Sequence, residues 1–182
     1  METKLSLRKQ ILSIRKNMDE QEVQRLSRLI CQKIISMDLF QKAQDICAYI
    51  SINNEVDTDE LIRYCHEHNK RLWLPKVMDE DMEFHRYNQG DLLTEGPFKI
   101  MEPTCNQVLI PDKNTLILMP GAVYSINKDR IGYGSGYYDK FLEKFPVCNT
   151  MALGYSFQLR ESIPFEPHDI RPDYIVTELD II

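Results

Sequence analysis

Apolar residues recur at helical spacing from the start of the chain. Leu7, Ile11, Ile14 and Met18 share one face and predict a helix over roughly residues 4–17. Asp19, with Glu22 three positions on, reads as a capping box opening a second helix. Its buried stripe is Val23, Leu26, Ile30, Ile34 and Met37. Strand-length apolar runs then alternate with helical segments. ICAYI (46–50), RLWLPKV (71–77, ending near Pro75), TLILMP (115–120), TMALGY (150–155) and YIVTE (174–178) read as strands. Asp57 or Thr58 caps a helix carrying Leu61, Ile62 and Cys65. MEFHRY (82–87) alternates apolar with polar and suggests an edge strand or hairpin, with His85 exposed. Residues 88–113 hold turn residues and no period, and a further helix is expected around 137–145. Helices alternating with buried strands predict one three-layer α/β/α domain over residues 1–182, with a mostly parallel sheet.

Composition narrows the class without naming a chemistry. The chain has 182 residues, 43% apolar and 27% charged, with net charge −6. An acidic chain argues against general nucleic-acid binding, which needs a basic face. No apolar run approaches a membrane span, and METKLSLRKQ has no apolar core of a secretory signal. Five cysteines without a C-x-x-C pair read as reduced thiols of a cytoplasmic protein, serving as small buried residues.

The densest candidate chemistry is RIGYGSGYYDKFLEKF, Arg130 to Phe145. Gly132, Gly134 and Gly136 allow positive φ and a close backbone approach. Their N–H groups, with the amino terminus of the helix that follows, can cradle phosphate oxygens. Arg130 adds a bidentate donor, and Asp139 on the first helical turn is a candidate Mg²⁺ ligand. A tight turn with Asp139 stabilising the helix dipole is the competing reading. In SINNEVDT (51–58), Glu55 and Asp57 can accept hydrogen bonds from a heterocycle, or cap the next helix and face solvent. In FEPHDIRPDYIVTE (165–178), His168 and Asp169 suit a general-base His–Asp pair or the outer shell of a metal, against a plain turn. His66 and His68, two apart on a helix, are poor joint ligands.

Five segments in order resemble the 5-formyltetrahydrofolate cyclo-ligase (5,10-methenyltetrahydrofolate synthetase) family. They are KLSLR (4–8), SINNEVDT, LWLPKV with GPFKIMEP (96–103), LMPGAVYSINKDRIGYGSGYYDKFL, and HDIRPDYIVTE. The resemblance implies a fold similar to ribose-5-phosphate isomerase and CoA-transferase domains. It implies Mg²⁺-dependent phosphorylation of the N5-formyl oxygen by ATP, then closure by N10. Lys4, Arg8, Arg130 and the stretch Gly132, Tyr133, Gly134, Ser135, Gly136, Tyr137 and Tyr138 would hold ATP. Tyr137 and Arg130 would act on the reacting groups. Asp139 and Asp169 would serve Mg²⁺, and Ile52, Glu55, Asp57, Phe98 and Tyr137 would line the folate site. The expected partners are small molecules only, on a monomer or weak dimer.

This chain departs from the family pattern at three positions. Ser125 stands where an aspartate is common. Ser135 stands where many members carry a basic residue or glycine, and Tyr133 where some carry an arginine. Two further classes fit less of the sequence. A regulatory folate or nucleotide binder would be expected to lose Lys4, Arg8, Arg130 or Asp139. A sugar-phosphate isomerase on the same fold would need no ATP.

Overall fold

The computed structural model describes residues 2–182. In chain order these form α1 (Lys4–Lys16), α2 (Glu20–Ser36), α3 (Asp38–Lys42), β1 (Asp45–Cys47), α4 (Asp59–Glu67), β2 (Arg71–Met78), β3 (Asp81–Arg86), β4 (Leu93–Glu95), β5 (Met101–Pro103), β6 (Thr115–Met119), β7 (Val123–Ser125), β8 (Arg130–Ile131), α5 (Tyr137–Lys144), β9 (Asn149–Leu153), β10 (Leu159–Arg160) and β11 (Tyr174–Val176). The central sheet runs β11-β9-β6-β1-β2-β3. All its pairings are parallel except β2 with β3.

The apolar runs have no polar face because both faces of the sheet are covered. Ile46, Leu72, Leu74, Leu116, Leu118, Met151 and Leu153 pack with residues of α2, α3 and α4. The alternate residues Cys47, Trp73, Ile117, Met119 and Ala152 pack with Phe141 and Leu142 of α5. This is the expected three-layer arrangement. A smaller sheet, β10-β7-β8, receives α1 through Leu7 and Ile11 against Val123 and Ile131. That packing brings the amino-terminal helix beside the glycine loop, which follows β8 directly.

Several local expectations are corrected. The buried stripe of α1 is Leu7, Ile11 and Arg15, while Ile14 is exposed. Asp19 stands at the start of α2 but makes no capping hydrogen bond. Glu22 instead pairs with Arg25 at 2.7 Å. The capping box forms on α1, between Thr3 and Ser6. Strand β2 runs through Pro75 to Met78. Its partner β1 reaches only as far as Trp73, so the N–H that Pro75 lacks is not needed there. His85 is 4% exposed rather than open. The segment after β5 covers the free side of β3, and the carbonyl of Cys105 lies 2.7 Å from His85 Nδ1. The region expected to be irregular contains the β4–β5 hairpin. All five cysteines are free; Cys31, Cys47 and Cys65 are buried and the other two half-buried.

Candidate active site

The glycine loop, the first turn of α1 and the segment before β11 enclose a polar cleft of about 370 Å³. Gly134 (φ +112°) and Gly136 (φ +67°) take the left-handed backbone that glycine tolerates. Gly132 does not. It is small for another reason: a Cβ there would stand 3.0 Å from the Arg130 guanidinium. Gly136 then caps α5, so the loop's N–H groups and the helix amino terminus adjoin one cavity.

Arg130 is buried at the base of this cleft. Its Nη2 donates to Asp139 Oδ2 at 3.0 Å and its Nη1 to the Pro120 carbonyl at 3.3 Å. Arg130 Nε is a buried donor without a partner among the described residues. An orphan donor in a residue that lines a cleft suits an anionic ligand. Arg8 donates from Nε to the Gly132 carbonyl at 2.8 Å, so α1 clamps the loop directly. Lys4 reaches the other rim, 2.6 Å from Glu166 and 2.5 Å from Asp169. Burial disfavours the Asp169 carboxylate, but Lys4 and the Glu166 N–H outweigh it and hold its pKa below the usual range. Arg8→Ala is expected to raise the KM for a nucleotide about tenfold, as for a lost charged hydrogen bond, with little effect at the second cleft. Separate titrations of the two ligands on the folded variant check this.

The second cleft, also about 370 Å³, is mostly apolar. Ile52, Pro75, Val77, Met82 and Phe98 line it, with Glu55 and Glu102 as its carboxylates. It shares Pro120, Tyr133, Ser135 and Tyr138 with the polar cleft. Glu55 is 5% exposed. Its Oε2 accepts the Ile52 N–H at 2.9 Å, closing the turn after β1. Burial pushes the Glu55 pKa up, against the Tyr133 hydroxyl, the Ile52 N–H and Arg15. Phe98, at φ +62° and 63% exposed, stands at the mouth. Its ring meets that of Tyr137 edge-on at 6.4 Å, one ring lining each cleft.

Most of the expected site residues therefore surround two adjoining cavities. Asp57 does not line either one. Its Oδ1 accepts the Asp59 N–H at 2.9 Å, the helix-capping alternative. Asp139 and Asp169 both line the polar cleft. Asp139 is already engaged by Arg130 and by the Ile170 N–H at 3.1 Å. Glu166, His168 and Asp169 bring one potential ligand atom each within 4.8 Å of one another. Ser125 Oγ donates to Asp129 at 2.8 Å and accepts the Asn127 and Asp129 N–H groups, so that departure closes a turn away from both clefts. The sequence offered no sign of Glu102, which sits on a three-residue strand. It did offer one for Arg15, on the i, i+4, i+8 line of Leu7 and Ile11.

The family description "5-formyltetrahydrofolate cyclo-ligase family" matches residues 1–178. The chain belongs to this family. The 5-formyltetrahydrofolate cyclo-ligase of Mus musculus is 26% identical over 96% of this chain and 93% of its own length. That of Saccharomyces cerevisiae is 27% identical over 97% and 95%. The NMR structure of Aquifex aeolicus 5,10-methenyltetrahydrofolate synthetase superposes with a TM-score of 0.88 at 33% identity, covering 98% of this chain and 91% of that one. The likeness to the Aquifex aeolicus structure thus extends over the whole fold described above, not one motif. Among the described residues, no helix is long and apolar enough to cross a membrane.

Proposed function

We propose that this chain is an ATP-dependent 5-formyltetrahydrofolate cyclo-ligase, converting 5-formyltetrahydrofolate and ATP to 5,10-methenyltetrahydrofolate, ADP and phosphate. The observation that carries the reading is the pair of adjoining clefts, one cationic with a glycine loop, one apolar with buried carboxylates. A triphosphate and a flat heterocycle placed in them would meet at the shared wall of Tyr133, Ser135 and Tyr138.

The formyl oxygen of an amide is a poor leaving group until it is phosphorylated. Its attack on the γ-phosphorus forms the new O–P bond and breaks the bond to ADP. N10 then attacks the formyl carbon. The C–O bond breaks, phosphate leaves, and loss of the N10 proton gives the methenyl ring. The protein's task is positioning and charge neutralisation. Gly132 to Tyr138, Arg130, Arg8 and Lys4 would bind the triphosphate. Tyr137 would orient the formyl group. Ile52 and Phe98 would pack on the folate, with Glu55 accepting hydrogen bonds from its ring. Asp57 is left out of this set, because its carboxylate caps a helix.

Asp139, Asp169 and Glu166 supply hard oxygen donors on the polar rim, which fits Mg²⁺. Bound there, Mg²⁺ would neutralise phosphate charge. Lys4 spans two of these carboxylates and would have to release them for them to hold the cation. Asp139→Asn is expected to lower turnover at least about tenfold and to raise the Mg²⁺ concentration needed for half-maximal rate, because an amide is a weaker ligand. Unchanged Mg²⁺ dependence in the folded variant would remove Asp139 from the set.

The direct test is the absorbance of the methenyl product on mixing protein, Mg·ATP and 5-formyltetrahydrofolate, with ATP omitted as the control. Product without ATP, or none with it, contradicts the reading. Glu55→Gln should raise the KM for 5-formyltetrahydrofolate about tenfold to a hundredfold, the range for a lost charged hydrogen bond. The KM for ATP should move far less, and equal changes would make Glu55 structural.

A further inference from the structure

Arg15 is a buried charge that the mechanism above leaves unused. It is 2% exposed, on the inner face of α1 below Leu7 and Ile11. Its Nε donates to the Asn53 carbonyl at 2.9 Å. Its Nη1 donates to the Tyr133 hydroxyl at 2.6 Å and lies 3.5 Å from the Gly121 carbonyl. Its Nη2 is 3.9 Å from Glu55 Oε1. The guanidinium therefore joins the turn after β1, the glycine loop and the end of β6. The same helix end is tied to that turn again, since Asn54 Nδ2 donates to the Arg15 carbonyl at 2.9 Å.

We propose that Arg15 is a positioning residue of the folate cleft, acting as the counter-ion of Glu55 and the clamp of Tyr133. This rests on the reading of the apolar cleft as the folate site. A carboxylate this deeply buried is strongly disfavoured without an opposite charge. The ionisable groups facing Glu55 are Arg15 from α1, Tyr49 after β1, Tyr124 from β7, Tyr133 from the glycine loop, Tyr138 from α5 and Tyr155 after β9. Burial pushes every one of these tyrosines up, so all are neutral at neutral pH. Glu102, the other carboxylate lining the cleft, offers Glu55 no counter-charge. Among these groups Arg15 is the cation, and it favours the ionised, accepting form of Glu55 against burial. It also holds the Tyr133 hydroxyl, which ties that wall of the folate cleft to α1.

The test is calorimetric titration of the full chain with 5-formyltetrahydrofolate alone and with Mg·ATP alone, between about pH 6 and about pH 9. Arg15→Gln should weaken folate binding about tenfold at neutral pH. The loss should shrink as pH rises, because alkali favours the ionised form that Arg15 otherwise supports. ATP binding should change less than about threefold, since no ATP contact is removed. In a Glu55→Gln background the same change should add little. Arg15→Lys, which keeps the charge, should bind folate better than Arg15→Gln at neutral pH. Should Arg15→Gln not fold, Arg15→Lys carries the test through an upward displacement of its folate pH profile relative to the parent. A pH-independent loss, equal for both ligands and fully additive with Glu55→Gln, overturns the proposal. A parent chain that does not bind 5-formyltetrahydrofolate overturns the cleft assignment itself, whereas a binding parent with unaffected Arg15 variants overturns this proposal alone.

Discussion

Arg130→Lys is expected to lower kcat about a hundredfold, the cost typical of removing one preorganised donor from a site of developing charge. The KM for the folate should stay within about twofold. Arg130 is 7% exposed and held on three sides: the Pro120 carbonyl, Asp139, and the face of Tyr138 at 5.9 Å. Its Nε is a buried donor without a partner among the described residues. Lysine keeps the positive charge and can still meet Asp139, so stability should fall little. It cannot present a fork of parallel donors. The transferring phosphoryl group would therefore lose a fixed hydrogen bond, not merely a charge. Steady-state kinetics beside a thermal melt separate the two contributions. A lysine variant with near-parental kcat would reduce Arg130 to a structural partner of Asp139.

The central sheet was legible because the middles of its parallel strands are buried on both faces and read as short apolar runs. The edges were not. His85 and the β4–β5 hairpin are decided by tertiary cover, and nothing local in residues 88–113 encodes which side of β3 will be closed. The glycine loop was legible because Gly134 and Gly136 need a backbone that other residues resist. Glu55 and Asp57 illustrate the limit. They lie two apart, with the same chemistry and the same flanks. Glu55 turns inward to close the turn on Ile52, while Asp57 caps α4. Only the path of the chain distinguishes them. Arg15 lies on the line of Leu7 and Ile11, yet its burial is hard to read for another reason. Pattern reading assigns a cation on an apolar stripe to the neighbouring solvent face. Here the buried face of α1 ends among carbonyls, a hydroxyl and a carboxylate, which is where a buried guanidinium is stable.

The largest loss of stability is expected from Gly154→Val, although Gly154 touches neither cleft. Tyr124 is fully buried, and its hydroxyl donates to the Leu153 carbonyl at 2.7 Å. Its ring lies so close that a Cβ on Gly154 would stand 2.4 Å from Cε2. The ring cannot retreat, because a Cβ on Gly121 would meet the Tyr124 hydroxyl at 2.6 Å on its other side. Nor can the strand end move freely, since the Gly154 N–H donates to the Val176 carbonyl at 3.2 Å. Two glycines thus make the slot for one tyrosine. Filling it with a branched side chain should cost about 3 kcal/mol, the upper part of the usual overpacking range. For a chain of this length that lowers Tm by roughly 6–12 °C. The slot also matters to the site. The Gly121 carbonyl, at its rim, lies 3.5 Å from Arg15 Nη1 and accepts the Tyr133 hydroxyl at 3.4 Å and Gln158 Nε2 at 2.9 Å. A displaced Tyr124 would therefore disturb the turn that carries the shared wall of the two clefts. Gly154→Ala should show a smaller loss, and adding Tyr124→Leu to Gly154→Val should restore part of the Tm by vacating the space. If the double variant melts lower than the sum of the two single losses, the slot argument fails and the backbone at Gly154 is the cause.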